Sequence, residues 1–469
     1  MSDEFDAVIV GAGPNGLTAA AMLARAGQSV LVLEGGSTAG GGARTDEAFG
    51  AGIRRDVCSA VHPTGLASPA FADLDLTSYG LDWLVPDVSV MHAFGPGESL
   101  AMWRDRAALA VELGVDGRHW ARSVGLIGSC PGLVDDVLSM PAVPRNRAAM
   151  ARFSALAGLP TEVLVRLLQT PAVRTAFAGI AAHASRPTTS LGSVAPGLLL
   201  GGLVSSGWPV ARGGSQAISD ALARIVVDHG GSVETDCPVE DFAVLPKASA
   251  VLFDVSPRAL VPIMGDRLPA GYARRLRRFR YGPGTCKVDF VLREPIPWGD
   301  ERFAQTATFH IAEDLAQVRA TESDVAAGRI PLQPWVLGGE PTRVDPSRAP
   351  EGVHLAWAYC HVPAGCDSDV SNRIVAQIER CAPGFRDVIV DRSVTTAADL
   401  EAYNPNNVGG DIGCGATSLK QLLARPTASP DPSSTPVDGV YLCSAATAPG
   451  GGVHGMSGYR AARRVLGAS

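Results

Sequence analysis

"FDAVIVGAGPNGLTAAAMLARAGQSVLVLEGGSTAGGGARTDE", residues 5–47, decides how this chain must fold. Residues 7–10 form a short apolar run, as expected of a parallel strand buried on both faces. Gly11, Gly13 and Gly16 follow in G-x-G-x-x-G spacing, residues 17–26 read as an Ala-rich helix, and Gly27 stops it. A second apolar strand, residues 29–33, ends at Glu34. Each part has a mechanical reason. Gly11 permits a tight turn, Gly13 lets backbone approach a pyrophosphate, and Gly16 brings the helix against the sheet. The helix N-terminus offers unpaired N–H groups and a partial positive charge. Glu34 stands 18 residues beyond Gly16, where a carboxylate accepts ribose hydroxyls. A glycine triplet alone is a weak signal; strand, triplet, helix, strand and acid in this order predict a dinucleotide site.

Beyond the acid come Gly41, Gly42 and Arg44 in "GGARTDE". This element resembles the second glycine-rich turn of flavoproteins of the glutathione-reductase and amine-oxidase type, where an Arg lies beside the diphosphate of FAD. The resemblance favours FAD over NAD. A second block, "GWPVARGGSQAISDALARIVVDHGGSVETDCPVEDF", residues 207–242, reads as turn, helix and strand, with Ser215 as the expected N-cap. In folds of this type a residue after that strand, here Val239, meets the adenine through its backbone. "SAVLFDVSP", residues 249–257, is another buried strand. The last block, "GVYLCSAATAPGGGVHGMSGYRAARRVL", gives a strand, a loop almost free of side chains, and a helix.

The expected fold class is α/β: a Rossmann-like, glutathione-reductase-type FAD-binding domain with an inserted α+β substrate domain. The FAD domain is assembled from residues 1–74, 205–260 and 435–469. The substrate domain comes from residues 75–204, expected helical, and 261–434, expected sheet plus helices. Residues 368–385 look like an amphipathic helix with a Pro-Gly stop, and 424–436 like a Pro/Ser-rich surface connector. A length of 469 residues fits more than one domain. The net charge of -7 gives no basic excess for nucleic acid. Nine cysteines lack metal-ligand spacing and are expected to be reduced thiols, which with no secretory signal fits a cytoplasmic enzyme. "VAPGLLLGGLV", residues 194–204, is too short to span a bilayer and reads as a buried helix or a peripheral membrane contact. Oligomeric state is not legible.

Several stretches carry a closer resemblance: "VIVGAGPNGLTAAAMLARAG", "GGGARTDE", "RRDVCSAVHP", "GWPVARGGSQAISDAL", "NPNNVGGDIGCG" and "CSAATAPGGGVHGMSG". Together they resemble the phytoene desaturase-like flavoproteins, in a branch similar to pyridine nucleotide-disulfide oxidoreductase domain-containing protein 2. The resemblance implies FAD bound by the N-terminal turn and, at its ring, by the terminal loop through Gly451, Gly452, Val453, His454 and Met456. The last helix would then aim N–H groups at the flavin edge that becomes negative on reduction. It also implies dehydrogenation of a C–C bond in a small apolar, polyene- or lipid-like substrate, with hydride passing to flavin N5. The sequence departs from the family at Ser444, Ala445 and Ala446, at Ala448, and at His454, which weakens the case for a carotenoid.

Two residues are candidates for the chemistry. Lys287 lies in the strand-like "GTCKVDFVL" and is one of three lysines; burial would lower its pKa toward a useful range, whereas a sheet-edge lysine would simply snorkel. His454 is placed near the flavin pyrimidine edge or facing solvent. His62 and His183 are read mainly as structural, with cavity lining as the alternative, and Asp411 as a turn former. No G-x-S-x-G occurs and no second G-x-G-x-x-G follows a strand, so hydrolase chemistry and a separate NAD(P)H domain have no support. Double-bond isomerisation, amine oxidation and an inactive flavin-binding interaction protein remain as alternatives.

Overall fold

The computed structural model describes residues 4–429 and 431–467. Its two larger sheets contain, in chain order, β1 (Glu4–Val10), β2 (Val30–Leu33), β3 (Val88–Gly95), β4 (Glu98–Trp103), β5 (Ser232–Glu234) and β6 (Lys247–Phe253). There follow β7 (Gly284–Leu292), β8 (Thr308–Ile311), β9 (Val336–Gly339), β10 (His354–Val362), β11 (Ile389–Thr395) and β12 (Val440–Leu442). The helices that matter most are α1 (Pro14–Arg25), α2 (Pro171–Ala181), α3 (Ala195–Gly202), α4 (Gln216–Asp228), α5 (Ser371–Cys381) and α6 (Met456–Val465).

The first sheet is parallel throughout and ordered β12-β6-β1-β2-β5. Its strands come from the beginning, middle and end of the chain, so the N-terminal and C-terminal glycine turns leave the same sheet. Ala7, Val8 and Ile9 are fully buried because helices cover both faces, the reason a continuous apolar run was needed. The second sheet is ordered β11-β7-β10-β9-β8-β3-β4. All its pairs are antiparallel except β8 with β3. One face packs on α5 through Val288, Phe290, Met91 and Ile374, and the other lies under α2 and α3.

The hairpin β3–β4 falls inside the stretch expected to be helical. Average composition hid it: "VSVMHAFG" and "ESLAMW" are short, apolar and joined by a turn at Gly97 with φ +72. Ser215 does not cap α4 with its side chain; its hydroxyl donates to the Ser59 carbonyl, 2.6 Å away. The connector at 424–436 is not wholly on the surface either. Arg425 and Ser433 within it are buried, because this segment folds back under the C-terminal loop. Residues 194–204 form a helix packed on α2, and no helix among the described residues is long and apolar enough to cross a membrane.

Helix α6 lies directly across the first turn of α1. A Cβ on Gly458 would stand 1.8 Å from the Asn15 carbonyl oxygen, and one on Gly455 2.3 Å from Thr18 Oγ1. Backbone contact at Gly458 thus sets how closely the two glycine turns approach. Gly458→Ala should therefore cost about 3 kcal/mol in denaturant unfolding, through overpacking against backbone. Gly271→Ala, at an exposed helix position with no atom near its Cβ, should instead gain about 0.5 kcal/mol from helix propensity. Equal effects at both sites would show that the α1–α6 contact does not constrain the fold.

Candidate dinucleotide and substrate site

The N-terminal turn is tight on every side. A Cβ on Gly11 would sit 2.7 Å from the Asp254 carbonyl oxygen, one on Gly13 2.5 Å from Asp254 Oδ2, and one on Gly16 2.1 Å from the Gly11 carbonyl oxygen. Only glycine fits these three places. Helix α1 starts with Gly13 as N-cap and Pro14 in its first turn, with no capping side chain of its own. The cap comes from across the sheet: the Gly16 N–H donates to Asp254 Oδ2 at 2.8 Å. Asp254 follows β6 and was not singled out from the sequence; an acid directly after a parallel strand, beside a glycine turn, was its signal.

Glu34 ends β2 as expected. Its Oε2 accepts the Ala12 N–H at 2.8 Å, while Oε1 accepts the Gly36 N–H at 2.8 Å and Arg44 Nη2 at 3.1 Å. Arg44 also lies 5.5 Å over the Tyr403 ring, and its Nε has no partner among the described residues, nor does buried Asn15 Oδ1. Gly41 backs onto Gly13, whereas a Cβ on Gly42 would point into open space. The Cys237 N–H donates to the Glu34 carbonyl at 2.8 Å, which sets Pro238 against Gly35 and leaves Val239 half-buried beside them. A glycine cradle, a ribose-directed carboxylate and unsatisfied donor and acceptor atoms fit the ADP half of FAD.

At the other end, the terminal loop is bounded by Gly450 at φ +121, Gly452 at φ +122 and Gly455 at φ +65. A Cβ on Gly451 would be 2.6 Å from the Gly413 carbonyl oxygen, so "NPNNVGGDIGCG" packs onto this loop. Asp411 shapes that segment by accepting N–H bonds from Gly282, Gly413 and Gly415 at 2.6, 2.9 and 2.7 Å. The Val453 carbonyl faces Gly65, and Met456 opens α6 as a buried side chain. His454 is buried; its Nδ1 accepts the Met456 N–H at 3.1 Å and its carbonyl accepts the Ser68 hydroxyl at 2.6 Å. Burial lowers its pKa to about 4, so the ring is neutral at physiological pH and braces the start of α6.

Lys287 is not at a sheet edge. It lies in β7, between β10 and β11, and is only 3% exposed. Its ammonium donates to the Asp56 carbonyl at 2.8 Å and pairs with Asp289, two residues along on the same face. Asp289 also accepts from Arg55 at 3.0 Å. Asp56 in turn pairs with fully buried Arg348 at 2.8 Å. Burial opposes the charge on Asp56, but the Arg348 guanidinium and the N–H of Ser215 outweigh it, so the carboxyl stays below its ordinary range. His62 Nε2 meets Ser215 Oγ at 2.9 Å, and burial lowers its pKa to about 4. Cys58 and Tyr359 keep some accessible surface, yet burial pushes the Cys58 thiol up to about 11 and raises Tyr359 as well. The Lys287 charge acts on Cys58 in the opposite sense, lowering it.

Asp254 gives the phosphate end a pH dependence. Burial raises its pKa to about 7, against the Gly16 and Gly13 N–H bonds; Glu34 on β2 raises it further, and Cys414 and Cys443 lie near it. The carboxyl is thus a neutral acid below about 7 and an added negative charge above it. An incoming diphosphate favours the neutral form, so FAD should bind several-fold more tightly at pH 6 than at pH 9, read by quenching of free-flavin fluorescence. Asp254→Asn should bind FAD equally at both values; an unchanged pH profile in that variant would assign the dependence elsewhere.

Residues 9–74 match the NAD(P)-binding Rossmann-like domain family. Along 99% of this chain and 94% of the relative, the sequence is 26% identical to pyridine nucleotide-disulfide oxidoreductase domain-containing protein 2 of Rattus norvegicus. It is 24% identical, over 53% of this chain and 51% of the relative, to the neurosporene-forming phytoene desaturase of Rhodobacter capsulatus. Among solved structures, an oxidoreductase from Methanosarcina mazei superposes with a TM-score of 0.67 at 16% identity, covering 99% of this chain and 100% of that one. A triple mutant of putrescine oxidase gives 0.62 at 18% identity, covering 99% of each chain. Fold and glycine turns are those of an FAD-binding oxidoreductase, and the sequence is similar to pyridine nucleotide-disulfide oxidoreductase domain-containing protein 2 and, over about half its length, to a phytoene desaturase.

Proposed function

We propose that the protein is an FAD-dependent dehydrogenase acting on C–C bonds of an apolar, polyene- or lipid-like substrate. The observation that carries this reading is the face of the seven-stranded sheet under α2 and α3. Val90, Leu100, Met102, Leu337 and Trp357 project from it, against Phe177, Ile180 and Leu198. These side chains are closely packed, and the layer they form gives the neighbourhood of Lys287 the water-free, apolar character that a hydrocarbon substrate needs. It adjoins Lys287, where the sheet meets the nucleotide-binding half through Asp56.

When bound, FAD supplies the two-electron acceptor for a hydride leaving one substrate carbon, while the neighbouring carbon loses a proton. The chain's own residues do the rest. Glu34 and Arg44 would hold the ribose and diphosphate, and Asp254 pins the glycine turn that faces the phosphates. Gly451 and Gly452 keep the ring side free of side chains, and the N-terminus of α6 offers N–H groups and a positive dipole end. Lys287, fixed by Asp289 and the Asp56 carbonyl, is a positioned donor at the junction rather than a free base.

Anaerobic mixing of the FAD-loaded protein with polyene and unsaturated lipid substrates should bleach the flavin band near ~450 nm. The product should be lighter by two hydrogens. Product of unchanged mass with a moved double bond would identify an isomerase, bleaching by amines alone an amine oxidase, and no bleaching by any of them an interaction protein. Each of these outcomes sinks the dehydrogenase reading.

A further inference from the structure

The substrate-facing side of the second sheet carries a group of side chains that neither the cofactor nor the proposed chemistry uses. Across the sheet, Lys287 pairs with Tyr359, Tyr359 with Leu337, Leu337 with His310, and His310 with His92. Residues in register point to the same face. The row therefore runs from Lys287, at the nucleotide-binding half, to two histidines deep under α2. Three strand spacings separate Lys287 from His310, roughly 14 Å.

Around His310 the rings close on one another. Its centroid lies 4.9 Å from His92, 5.3 Å from His183 and 5.4 Å from Trp335. His310 is 1% exposed and Trp335 0%, yet His310 Nδ1, His310 Nε2, His92 Nε2 and Trp335 Nε1 have no hydrogen-bond partner among the described residues. A buried polar atom left without a partner costs about 1–3 kcal/mol, and such atoms are rare in native proteins. Four in one cluster mark a place where a partner is expected to arrive. Helix α2 reaches the cluster through Gly179, where a Cβ would come within 3.0 Å of Trp335 Nε1, 3.5 Å of His310 Nδ1 and 3.8 Å of His92 Nδ1, so only bare backbone lies over these nitrogens.

The chemistry of the partner follows from the donor set. Burial lowers the pKa of His92 to about 3, of His183 to about 4, and of His310 well below its ordinary value. These rings are neutral and offer an anion no charge. Each neutral imidazole has one donor and one acceptor, and the indole has one donor. No group of His, Cys, Asp or Glu among the described residues has the arrangement to hold a metal. The nearby carboxylate of Glu322 is turned to His361, 2.7 Å away. We propose that His310, His92 and Trp335 form a binding subsite for an uncharged oxygen function, a hydroxyl or carbonyl, on the substrate about 14 Å from Lys287. The substrate is then an oxygen-bearing apolar molecule and not a bare hydrocarbon. This rests on the substrate layer identified under the proposed function, but not on the dehydrogenation itself.

The test uses the FAD-loaded protein and 12-carbon probes: 1-dodecanol, 2-dodecanone, 1-dodecene, dodecanoate and dodecylamine. Binding is read from tryptophan fluorescence, since Trp335 and Trp208 both border His310. The alcohol and ketone should bind about tenfold more tightly than the alkene, the worth of one well-made buried hydrogen bond. In His310→Phe that preference should vanish, while the unliganded variant should be at least as resistant to heat as the parent, because an unsatisfied polar ring has been replaced by an apolar one. A less stable His310→Phe would show that the ring nitrogens are satisfied internally, and would overturn the subsite. So would equal binding of alcohol and alkene, preference for dodecanoate or dodecylamine, or no probe binding. Flavin bleaching of the same protein by the polyene and unsaturated lipid substrates separates the two readings. Oxygen preference without bleaching leaves the subsite and removes the dehydrogenase; bleaching without oxygen preference does the reverse.

Discussion

Everything at the site depends on one backbone contact, Gly458 against the carbonyl of Asn15. It lets the last helix cross the first turn of α1 with no side chain between them. The two glycine turns are more than 400 residues apart in the chain, yet both leave a single parallel sheet and meet there. Sheet topology alone would bring them only to the same end of the sheet. Loss of that contact would separate the phosphate cradle from the ring-side loop while leaving each intact.

The two halves of the molecule are joined by buried charge as well as by apolar packing, in which Leu138 sits in the core of the nucleotide half and Ala60 in that of the substrate half. Arg348 has no exposed surface and bridges Asp56 to Asp345, while Lys287 reaches from the second sheet to the Asp56 carbonyl. Buried pairs of this kind rarely add net stability over apolar residues of the same size. What they add is geometry. Asp56 also holds the Ser215 N–H and the Thr45 hydroxyl, so its carboxylate fixes the arginine-bearing turn and the start of α4 while its carbonyl fixes the strand carrying Lys287. Removing any partner would leave an uncompensated charge.

Much of the nucleotide half could be read from residue order, because strand, glycine triplet, helix and acid are local and each has a mechanical reason. Glu34 and Arg44 meet 3.1 Å apart, and Asp411 proved to be the turn former expected of it. The substrate half was less legible for a physical reason. Lys287 was visible as a rare lysine in an apolar run, but its partner Asp289 was masked by reading the strand as a single apolar stretch rather than by faces. His92 and His310 lie in short strands, "VSVMHAFG" and "TFHI", that pair only through the parallel β8–β3 contact. Nothing in either segment announces the other. Asp254 was hidden in the same way, as one residue of a turn whose meaning appears only beside Gly13 and Gly16.

Desolvation then acts oppositely in the two halves. In the nucleotide half it raises a carboxyl, Asp254, towards neutrality, where an arriving diphosphate would otherwise meet repulsion. In the substrate half it lowers three imidazoles until none carries charge. The same low-dielectric interior thus removes negative charge beside the phosphates and positive charge along the substrate layer. A charged ligand would have to give up its hydration against neutral rings, a cost that hydrogen bonds from imidazole and indole do not offset. An uncharged oxygen group loses far less and gains all of those bonds. The discrimination follows from burial itself, without any residue of opposite charge to enforce it.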